Sequence, residues 1–500
     1  MAVVLVAAII RFWNFRSLGY QHWDEYFFIR GANAVNAAWP KGLKSIPYVT
    51  TPLLAYTDGT LFHFLGARGW IPLAVSATYG VLSSVAVYFL GSRLFGNAVG
   101  LIAGVAVATA EFSVMFSRMA LADATFDFWL ITCVLFVWLG FTRRRFGYWA
   151  VAGVSAGVTL NTKYDGAFPL ILAVSWLIAE FVIDLAKGRR EFLSKAWSEY
   201  RLRVLGAAGM VVIALVIYAP WLYRLARNPG LDKLFGHQAG FFVDKTPPIF
   251  ILWYYWLFTS PLTVILALAG IAVALIRFTR ADRLLLIYTA GWVVAVILFG
   301  AYPREALSLL PAVAIWAGRA IVEAWKLVVA YRPRWQLATT TVATACVLAI
   351  AIGQFLPLPH MLSLRTRGYA DAGVIAARYQ ASGSTIIVRT QDVAYLYLRD
   401  DTILRNSPLV VQLLKDKGSG VVIITDQTMM WFVDIRAFFE LNRDRLKVID
   451  RVANPMYDEL MLQPATYDKL ANLANPPDEY RYITFWRVTA PLLYPPNWPQ

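Results

Sequence analysis

The chain has 500 residues, of which 59% are hydrophobic and 15% charged, and a mean hydropathy of +0.54. Because soluble proteins carry about 25% charged residues, this composition excludes a disordered, collagen-like or simple cytosolic protein and indicates a polytopic membrane protein. Two cysteines and four histidines exclude a disulfide scaffold or histidine-rich metal cage, and the net charge of +15, dispersed between apolar runs, favours basic cytoplasmic loops over nucleic-acid binding.

Apolar runs long enough to cross a bilayer recur along residues 1–358. A spanning helix needs about 20 apolar residues, so the opening run Met1–Ile10 is too short alone and is predicted to continue through Phe15. Further runs lie near residues 70–92, 98–116, 124–141, 148–162, 166–184, 204–222, 258–276, 284–302, 308–329 and 337–358. The sequence therefore predicts a polytopic α-helical membrane domain with about eleven transmembrane helices.

Basic residues predict how these helices are oriented. Alternate short loops are rich in arginine and lysine, as at Arg143, Arg144 and Arg145, whereas the opposite short loops hold only Arg118, Lys163 and Arg304. Basic loops stay in the cytoplasm. We therefore expect an integral protein of the plasma membrane with a cytoplasmic N-terminus and an extracytoplasmic active site. The first outer loop would span residues 11–69.

The composition changes near residue 359, which divides the chain into a membrane domain (1–358) and a tail (359–500). The tail has strand-like runs at Thr385–Arg389, Gly420–Thr425 and Tyr482–Val488, with helical stretches at Leu409–Lys417 and Thr428–Asn442. Alternating strands and helices predict a small extracytoplasmic α/β domain. Glycine-rich phosphate loops and a serine nucleophile elbow are absent from its sequence, so no nucleotide site is assigned.

Two adjacent carboxylates, Asp24 and Glu25, follow the first predicted helix. They fit a solvated turn or the N-cap of a helix through Phe27–Ala38. They also fit a catalytic role, because a carboxylate within hydrogen-bond reach can take the proton from an acceptor hydroxyl. Both interpretations are open from the local sequence.

A second polar cluster, Ser117–Asp123, fills a short outer turn. Arg118 and Asp123 suit either an interfacial arginine and an N-cap, or contacts to a phosphate and a substrate. Glu111 lies near the outer end of the third predicted span, where a carboxylate is costly and therefore a candidate for function.

Three cations occupy three different outer turns: Arg118, Lys163 and Arg304. One such cation is usually a headgroup contact. Three together could neutralise a lipid-linked phosphate, and pre-placed cations lower the barrier when a leaving phosphate gains charge.

A divalent metal ion is the cofactor for which the sequence has candidate ligands. Asp58 and His63 lie late in the first outer loop, and His237 lies between later spans. A lone histidine is more often structural than a ligand, but one histidine with one or two carboxylates can hold a divalent ion. The spacing of these residues does not by itself select the ligands or the metal.

Taken in order, these motifs resemble those of the GT-C membrane glycosyltransferases, within them the protein O-mannosyltransferase and lipid A aminoarabinose transferase group. The resemblance rests on Asp24-Glu25, the S-R-x-x-L-x-D turn ending at Asp123, Asn161-Thr162-Lys163, and Pro303-Arg304 with Leu309-Leu310-Pro311. In the aminoarabinose transferases an acidic residue late in the first outer loop and a histidine before helix eight can bind a metal, so the resemblance implies Asp58 and His237 as metal ligands. The chain departs from that group after Asp58, where Gly59-Thr60 replaces their Lys-Pro.

The resemblance implies inverting transfer of a sugar from a polyprenyl-phosphate donor to an extracytoplasmic hydroxyl of a lipid, glycan or protein. Asp24 would be the base beside Glu25, and Arg118, Lys163 and Arg304 would bind the donor phosphate, supported by Asp123 and Glu111. A lipid-linked sugar flippase or transporter is the main alternative, although the sequence shows neither the inverted repeats nor the broken helices typical of that class. A sensor whose tail is the working part is a third interpretation.

Overall fold

The computed structural model describes residues 1–46, 50–188, 191–227, 259–299, 303–356, 362, 367–389, 396–397, 420–426, 433–454 and 481–493. The chain forms two compact units. One unit comprises Met1–Phe15 and Phe28–Ser363, and the other comprises Arg16–Phe27 and Leu364–Gln500. The second unit thus combines a short N-terminal segment with the tail.

Helices follow the predicted apolar runs through residue 355. Their bounds are α1 Ala2–Phe12, α2 Trp23–Ala37, α3 Pro52–Leu65, α4 Trp70–Phe95, α5 Asn97–Thr109, α6 Glu111–Ser117, α7 Asp123–Arg143, α8 Phe146–Leu160, α9 Phe168–Gly188, α10 Glu191–Arg227, α11 Pro261–Arg277, α12 Arg280–Phe299, α13 Pro303–Ala306, α14 Leu310–Tyr331 and α15 Gln336–Phe355. The first helix ends at Phe12, three residues before the predicted end, and a 3₁₀ turn follows at Phe15–Ser17.

Among the described residues, six helices are long and apolar enough to cross a membrane, or up to seven if a bent pair counts as one span. Helices α1, α8 and α11 are apolar but shorter. The polytopic helical fold class is therefore confirmed, while the number eleven stays a prediction.

The bent pair is α5 and α6, which meet at Ala110 with an angle of 59°. The sequence predicts one continuous run over residues 98–116, whereas the structure divides this run at Ala110, as a broken span or a re-entrant loop. Neither proline nor glycine marks the break, since Thr109, Ala110 and Glu111 stand there, so no local pattern predicts it. Glu111 therefore begins a helix instead of lying inside one. The absence of transporter-like helices broken near the midplane stays a prediction.

Small residues allow the helices of the first unit to pack closely. Gly100 of α5 lies so near the backbone of α4 at Tyr88 that a side chain could not fit between them. Trp149 of α8 is fully buried against Gly140 of α7 and Gly206 of α10. Close approach of this kind replaces the hydrophobic effect as the source of helix association in lipid.

Buried ion pairs join the ends of several helices on the predicted cytoplasmic side. Arg283 of α12 forms a two-pronged pair with Glu180 of α9, with both N–O distances 2.6 Å. Asp282 pairs with Arg319 of α14, and Asp282 and Glu180 are fully buried. Each charge is compensated by its partner, so the pairs fix the register of α9, α12 and α14.

Within the described residues, the tail forms a four-stranded sheet with strand order β1-β2-β4-β3. The strands are β1 Thr385–Arg389, β2 Val421–Thr425, β3 Leu446–Ala453 and β4 Tyr482–Val488, accompanied by helices α16 Gly368–Ala381 and α17 Val433–Leu441. β1 and β2 are parallel, and the other pairs are antiparallel. β2 is buried along its whole length because it lies between two neighbours.

Three of the four strands match predicted strands, whereas β3 was not predicted. Its sequence LKVIDRVA is largely half-exposed, as expected for an edge strand whose outer face is polar. The predicted helix at Leu409–Lys417 and the start of the one at Thr428–Asn442 lie outside the described residues.

Candidate active site

Asp24 lies in the first turn of α2, which begins at Trp23. His22 stands just before the helix, and its Nδ1 accepts a hydrogen bond of 3.0 Å from the backbone N–H of Asp24. The helix N-terminus is a favourable place for a negative charge, because the first N–H groups point toward it. Asp24 is half-buried, and its backbone is fixed by this cap.

Glu25 has a different environment from Asp24. It is fully buried, and its carboxylate accepts hydrogen bonds from the backbone N–H groups of Gln21 (2.5 Å) and His22 (2.7 Å). A carboxylate three residues into a helix that reaches back in this way forms half of a capping box. Glu25 therefore caps the start of α2, whereas a catalytic role of Asp24 stays a prediction.

Arg118 directly follows α6, and its side chain contacts the C-terminal end of α1. Its Nη1 donates to the carbonyl oxygens of Ile10 (3.2 Å), Arg11 (3.0 Å) and Trp13 (2.7 Å). Cations stabilise helix C-termini, where carbonyl groups lack intrahelical partners. Burial lowers the pKa of Arg118 to about 10, which still leaves the guanidinium charged at neutral pH.

Lys163 and Asp123 are brought together across forty residues of sequence. Their side chains form an ion pair of 3.0 Å, and the Lys163 ammonium lies 5.6 Å from the ring centroid of Phe126. Helix α3 holds the Lys163 turn in place, because the N–H of Leu53 donates to the carbonyl of Asn161 at 2.9 Å. The lysine turn and α3 therefore form one rigid piece.

Arg304 and Glu111 lie at helix starts in the same unit. Arg304 is half-buried in α13, and Glu111 is half-buried in the first turn of α6. Asp24 and Glu25 belong to the second unit. Convergence of all these residues on one cavity stays a prediction.

Asp58 is the most unusual carboxylate among the predicted site residues. It lies in α3 and is fully buried, and neither of its oxygens has a hydrogen-bond partner among the residues that the structure describes. Burial raises the pKa of Asp58 well above its usual value. A buried carboxylate without a partner is stable only if it is protonated or bound to a cation.

The remaining predicted metal ligands do not complete a site within the described residues. There, no group of three or more His, Cys, Asp and Glu side chains could hold a metal ion. His237 and His360 lie outside the described residues. His63 is exposed and stacks on Trp39, with ring centroids 5.6 Å apart, which is a packing role. Of the two predicted ligands, Asp58 lies within the described residues, and metal binding there stays a prediction.

Two buried polar residues near the predicted outer face were not singled out from the sequence. Asp127 of α7 accepts a hydrogen bond of 2.5 Å from the Ser308 hydroxyl and lines a small cavity with Ser83 and Ser113. Arg11 of α1 is fully buried and donates to the Ser113 hydroxyl at 2.8 Å. Both residues could have been found from the sequence, because each is a charged residue inside an apolar helix.

Comparison with known families gives one match. Residues 49–223 match the model of the family described as dolichyl-phosphate-mannose-protein mannosyltransferase. This stretch contains Asp58, Arg118, Asp123 and Lys163. No curated protein matches the sequence significantly.

Solved structures match over nearly the whole chain. ArnT from Cupriavidus metallidurans bound to undecaprenyl phosphate is 16% identical, with a TM-score of 0.62, covering 100% of this chain and 99% of that chain. The archaeal oligosaccharyltransferase AglB from Archaeoglobus fulgidus, in complex with an inhibitory peptide and a dolichol-phosphate, is 14% identical, with a TM-score of 0.57 and coverage of 86% and 69%. The Archaeoglobus fulgidus oligosaccharyltransferase in complex with Zn and sulfate is 14% identical, with a TM-score of 0.54 and coverage of 93% and 70%.

These matches confirm the fold predicted from the motifs. Together with the family match, they support the resemblance to the GT-C superfamily of membrane glycosyltransferases.

Proposed function

We propose that the protein is a glycosyltransferase that moves a sugar from a polyprenyl-phosphate donor to an extracytoplasmic hydroxyl, with inversion at the anomeric carbon. The observation that carries the proposal is the full-length structural match to a transferase solved with undecaprenyl phosphate. The family match and the match to a transferase solved with a dolichol-phosphate point to the same donor class.

Asp24 is the base in this mechanism. The acceptor hydroxyl gives its proton to the Asp24 carboxylate, and its oxygen forms a bond to the anomeric carbon. The bond from that carbon to the phosphate oxygen breaks at the same time, and the electron pair leaves with the polyprenyl phosphate. One displacement of this kind inverts the anomeric centre. Glu25 fixes the start of α2 and thereby the position of Asp24.

The donor phosphate binds to Arg118, Lys163 and Arg304. The hydrogen bonds from Arg118 to the end of α1 use Nη1, and the guanidinium has further N–H groups for a phosphate. The Lys163 ammonium has three N–H donors. It can therefore maintain its ion pair with Asp123 and also donate a hydrogen bond to a phosphate. Asp123 and Glu111 support these cations.

Asp58 is the proposed ligand of a divalent ion, with His237 as the second ligand. The ion would supply positive charge beside a phosphate. The neighbour solved with Zn supports testing zinc first. Among the described residues, the Asp58 carboxylate has no hydrogen-bond partner. Binding of a cation would therefore be favourable, because the cation would offset the free-energy cost of the buried negative charge.

The active site and the tail lie outside the cytoplasm in this proposal. Residues 1–358 form the transmembrane glycosyltransferase domain, and residues 359–500 form the extracytoplasmic α/β domain. The donor enters from the membrane lipids, and the acceptor lipid, glycan or protein approaches from the aqueous side.

Transfer is tested with purified protein and a panel of polyprenyl-phosphate sugars, by measuring released polyprenyl phosphate and the glycosylated acceptor. Asp24→Asn keeps the shape of the side chain but cannot take a proton, so kcat should fall by about 10²–10⁴-fold. The matched control is Asp371→Asn, at an exposed carboxylate in the first turn of α16. Turnover of the Asp24→Asn variant near that of the control would contradict the assignment of the base.

A flippase is the second candidate, because the break between α5 and α6 is a feature of transporters as well. Liposomes that contain the protein and a fluorescent polyprenyl-phosphate sugar separate the two functions. Movement of the lipid between leaflets without release of polyprenyl phosphate would favour the flippase.

A further inference from the structure

We propose that Tyr397, in the tail, is a positioning residue for the catalytic segment: its hydroxyl holds the chain just before Asp24 in place. This inference rests on the proposed function of Asp24. Tyr397 touches no predicted substrate group and acts through the backbone of the segment at residues 16–27.

The contact between Tyr397 and this segment is direct. The backbone N–H of Tyr20 donates a hydrogen bond of 2.7 Å to the Tyr397 hydroxyl, although 377 residues separate them in sequence. The two tyrosine rings also pack together, with centroids 5.8 Å apart. Tyr20 is buried, so the hydroxyl serves its N–H as an acceptor in place of water.

The hydrogen bond to Tyr397 continues a series that ends at Asp24. The next two backbone N–H groups, of Gln21 and His22, donate to Glu25, and that of Asp24 donates to His22. The acceptors for these three groups come from the segment itself. Tyr397 adds an acceptor from a distant part of the chain, so it connects the series to the folded tail.

Tyr397 is itself held against helix α16. A Cβ added at Gly373 would lie 2.7 Å from the Tyr397 carbonyl oxygen and 3.0 Å from its Cβ. Glycine therefore permits a close approach that another residue would prevent. Because α16 also packs against the sheet, the position of Tyr397 is set by the core of its unit.

The chemistry of the phenol suits this role. Burial raises the pKa of Tyr397, so the hydroxyl stays protonated throughout the physiological range. A neutral hydroxyl can accept from the Tyr20 N–H and still donate its own proton. A catalytic base displaced by about 1 Å can lose 10²-fold in rate, so a fixed backbone at residues 20–24 has a direct effect on kcat.

The test uses Tyr397→Phe in the full-length protein, which keeps the ring and removes the acceptor. Deuterium uptake by the backbone amides of residues 16–27 should rise in this variant, and kcat should fall about 10-fold with the donor KM unchanged. Tyr379→Phe is the matched control, since Tyr379 lies in the same unit and packs on Phe485. The control should change neither quantity.

A second variant, Gly373→Ala, displaces Tyr397 without touching its hydroxyl and should give the same pair of changes. Unchanged deuterium uptake at residues 16–27 in Tyr397→Phe would overturn the contact, and increased uptake with wild-type kcat would overturn its role in catalysis. A wild-type protein without transfer activity would defeat the proposed function, whereas the exchange measurement would still decide the contact.

Discussion

Asp58 is a fully buried carboxylate whose environment makes the stability of the fold depend on pH. Among the described residues its oxygens have no hydrogen-bond partner, and burial raises its pKa. A carboxyl group whose pKa is higher in the folded state stabilises the fold fully below the unfolded pKa of about 4, and this contribution is lost as the pH rises through the folded pKa. Asp58 therefore disfavours the fold at neutral and alkaline pH when no cation is bound.

We expect Asp58→Asn to raise the melting temperature of metal-depleted protein at pH 8 by about 2–4 °C, with a smaller gain at pH 5. Zinc should stabilise the wild type and leave Asp58→Asn unchanged, since the variant has no charge to compensate. Thermal unfolding in detergent measures both effects. The control is Asp371→Asn, and a zinc response in the Asp58→Asn variant equal to the wild type would argue against this ligand.

At the same scale, residue types could be predicted better than residue pairs. The sequence identified Lys163 and Asp123 as polar groups in short outer turns, but their ion pair depends on the packing of α7 against α8, which no local pattern records. Arg118 was predicted as a phosphate ligand, and its hydrogen bonds to the end of α1 could not be anticipated for the same reason.

Among the elements, α9, α12 and α14 are joined by buried ion pairs. A hydropathy pattern counts each of these charges only as unfavourable for burial and does not show that the charges pair. Asp282 accepts from Arg319 and from the hydroxyl of Thr279, which fixes the start of α12. Arg319 also lies over the ring of Phe95, at 4.0 Å from its centroid. Removing one partner leaves the other charge buried and uncompensated.

Asp282→Asn should therefore destabilise the protein by about 3–5 kcal/mol, through the unpaired Arg319. The double variant Asp282→Asn with Arg319→Met should recover most of this loss, because the pair can be replaced by apolar contacts. Unfolding in detergent at increasing denaturant gives the free energies. A double variant as unstable as the single one would show that the arginine charge is not the cause.

The elements themselves were largely predictable because apolar runs of bilayer length permit few alternatives. The departures have local reasons. The break at Ala110 has neither proline nor glycine to mark it, and β3 is an edge strand with a polar face that resembles a loop in sequence. Strands with buried faces, such as β2, were easier to recognise.

For the whole molecule, the distribution of arginine and lysine predicts a cytoplasmic N-terminus and an outer active site. A maleimide that cannot cross membranes tests this in intact cells. After replacement of Cys133 and Cys346 by serine, a cysteine at Gly66 should react from outside, and one at Arg144 should react only after the membrane is opened. The opposite pattern would invert the proposed topology.

The second unit combines residues 16–27 with the tail, although residues 28–363 separate them in sequence. The tail of this protein should therefore not be exchangeable by itself. A chimera joined after residue 358 would combine a foreign tail with the native segment 16–27. That segment packs with the native tail, and the foreign tail would not match it. Grafting residues 16–27 together with the tail would keep the two halves of that unit matched.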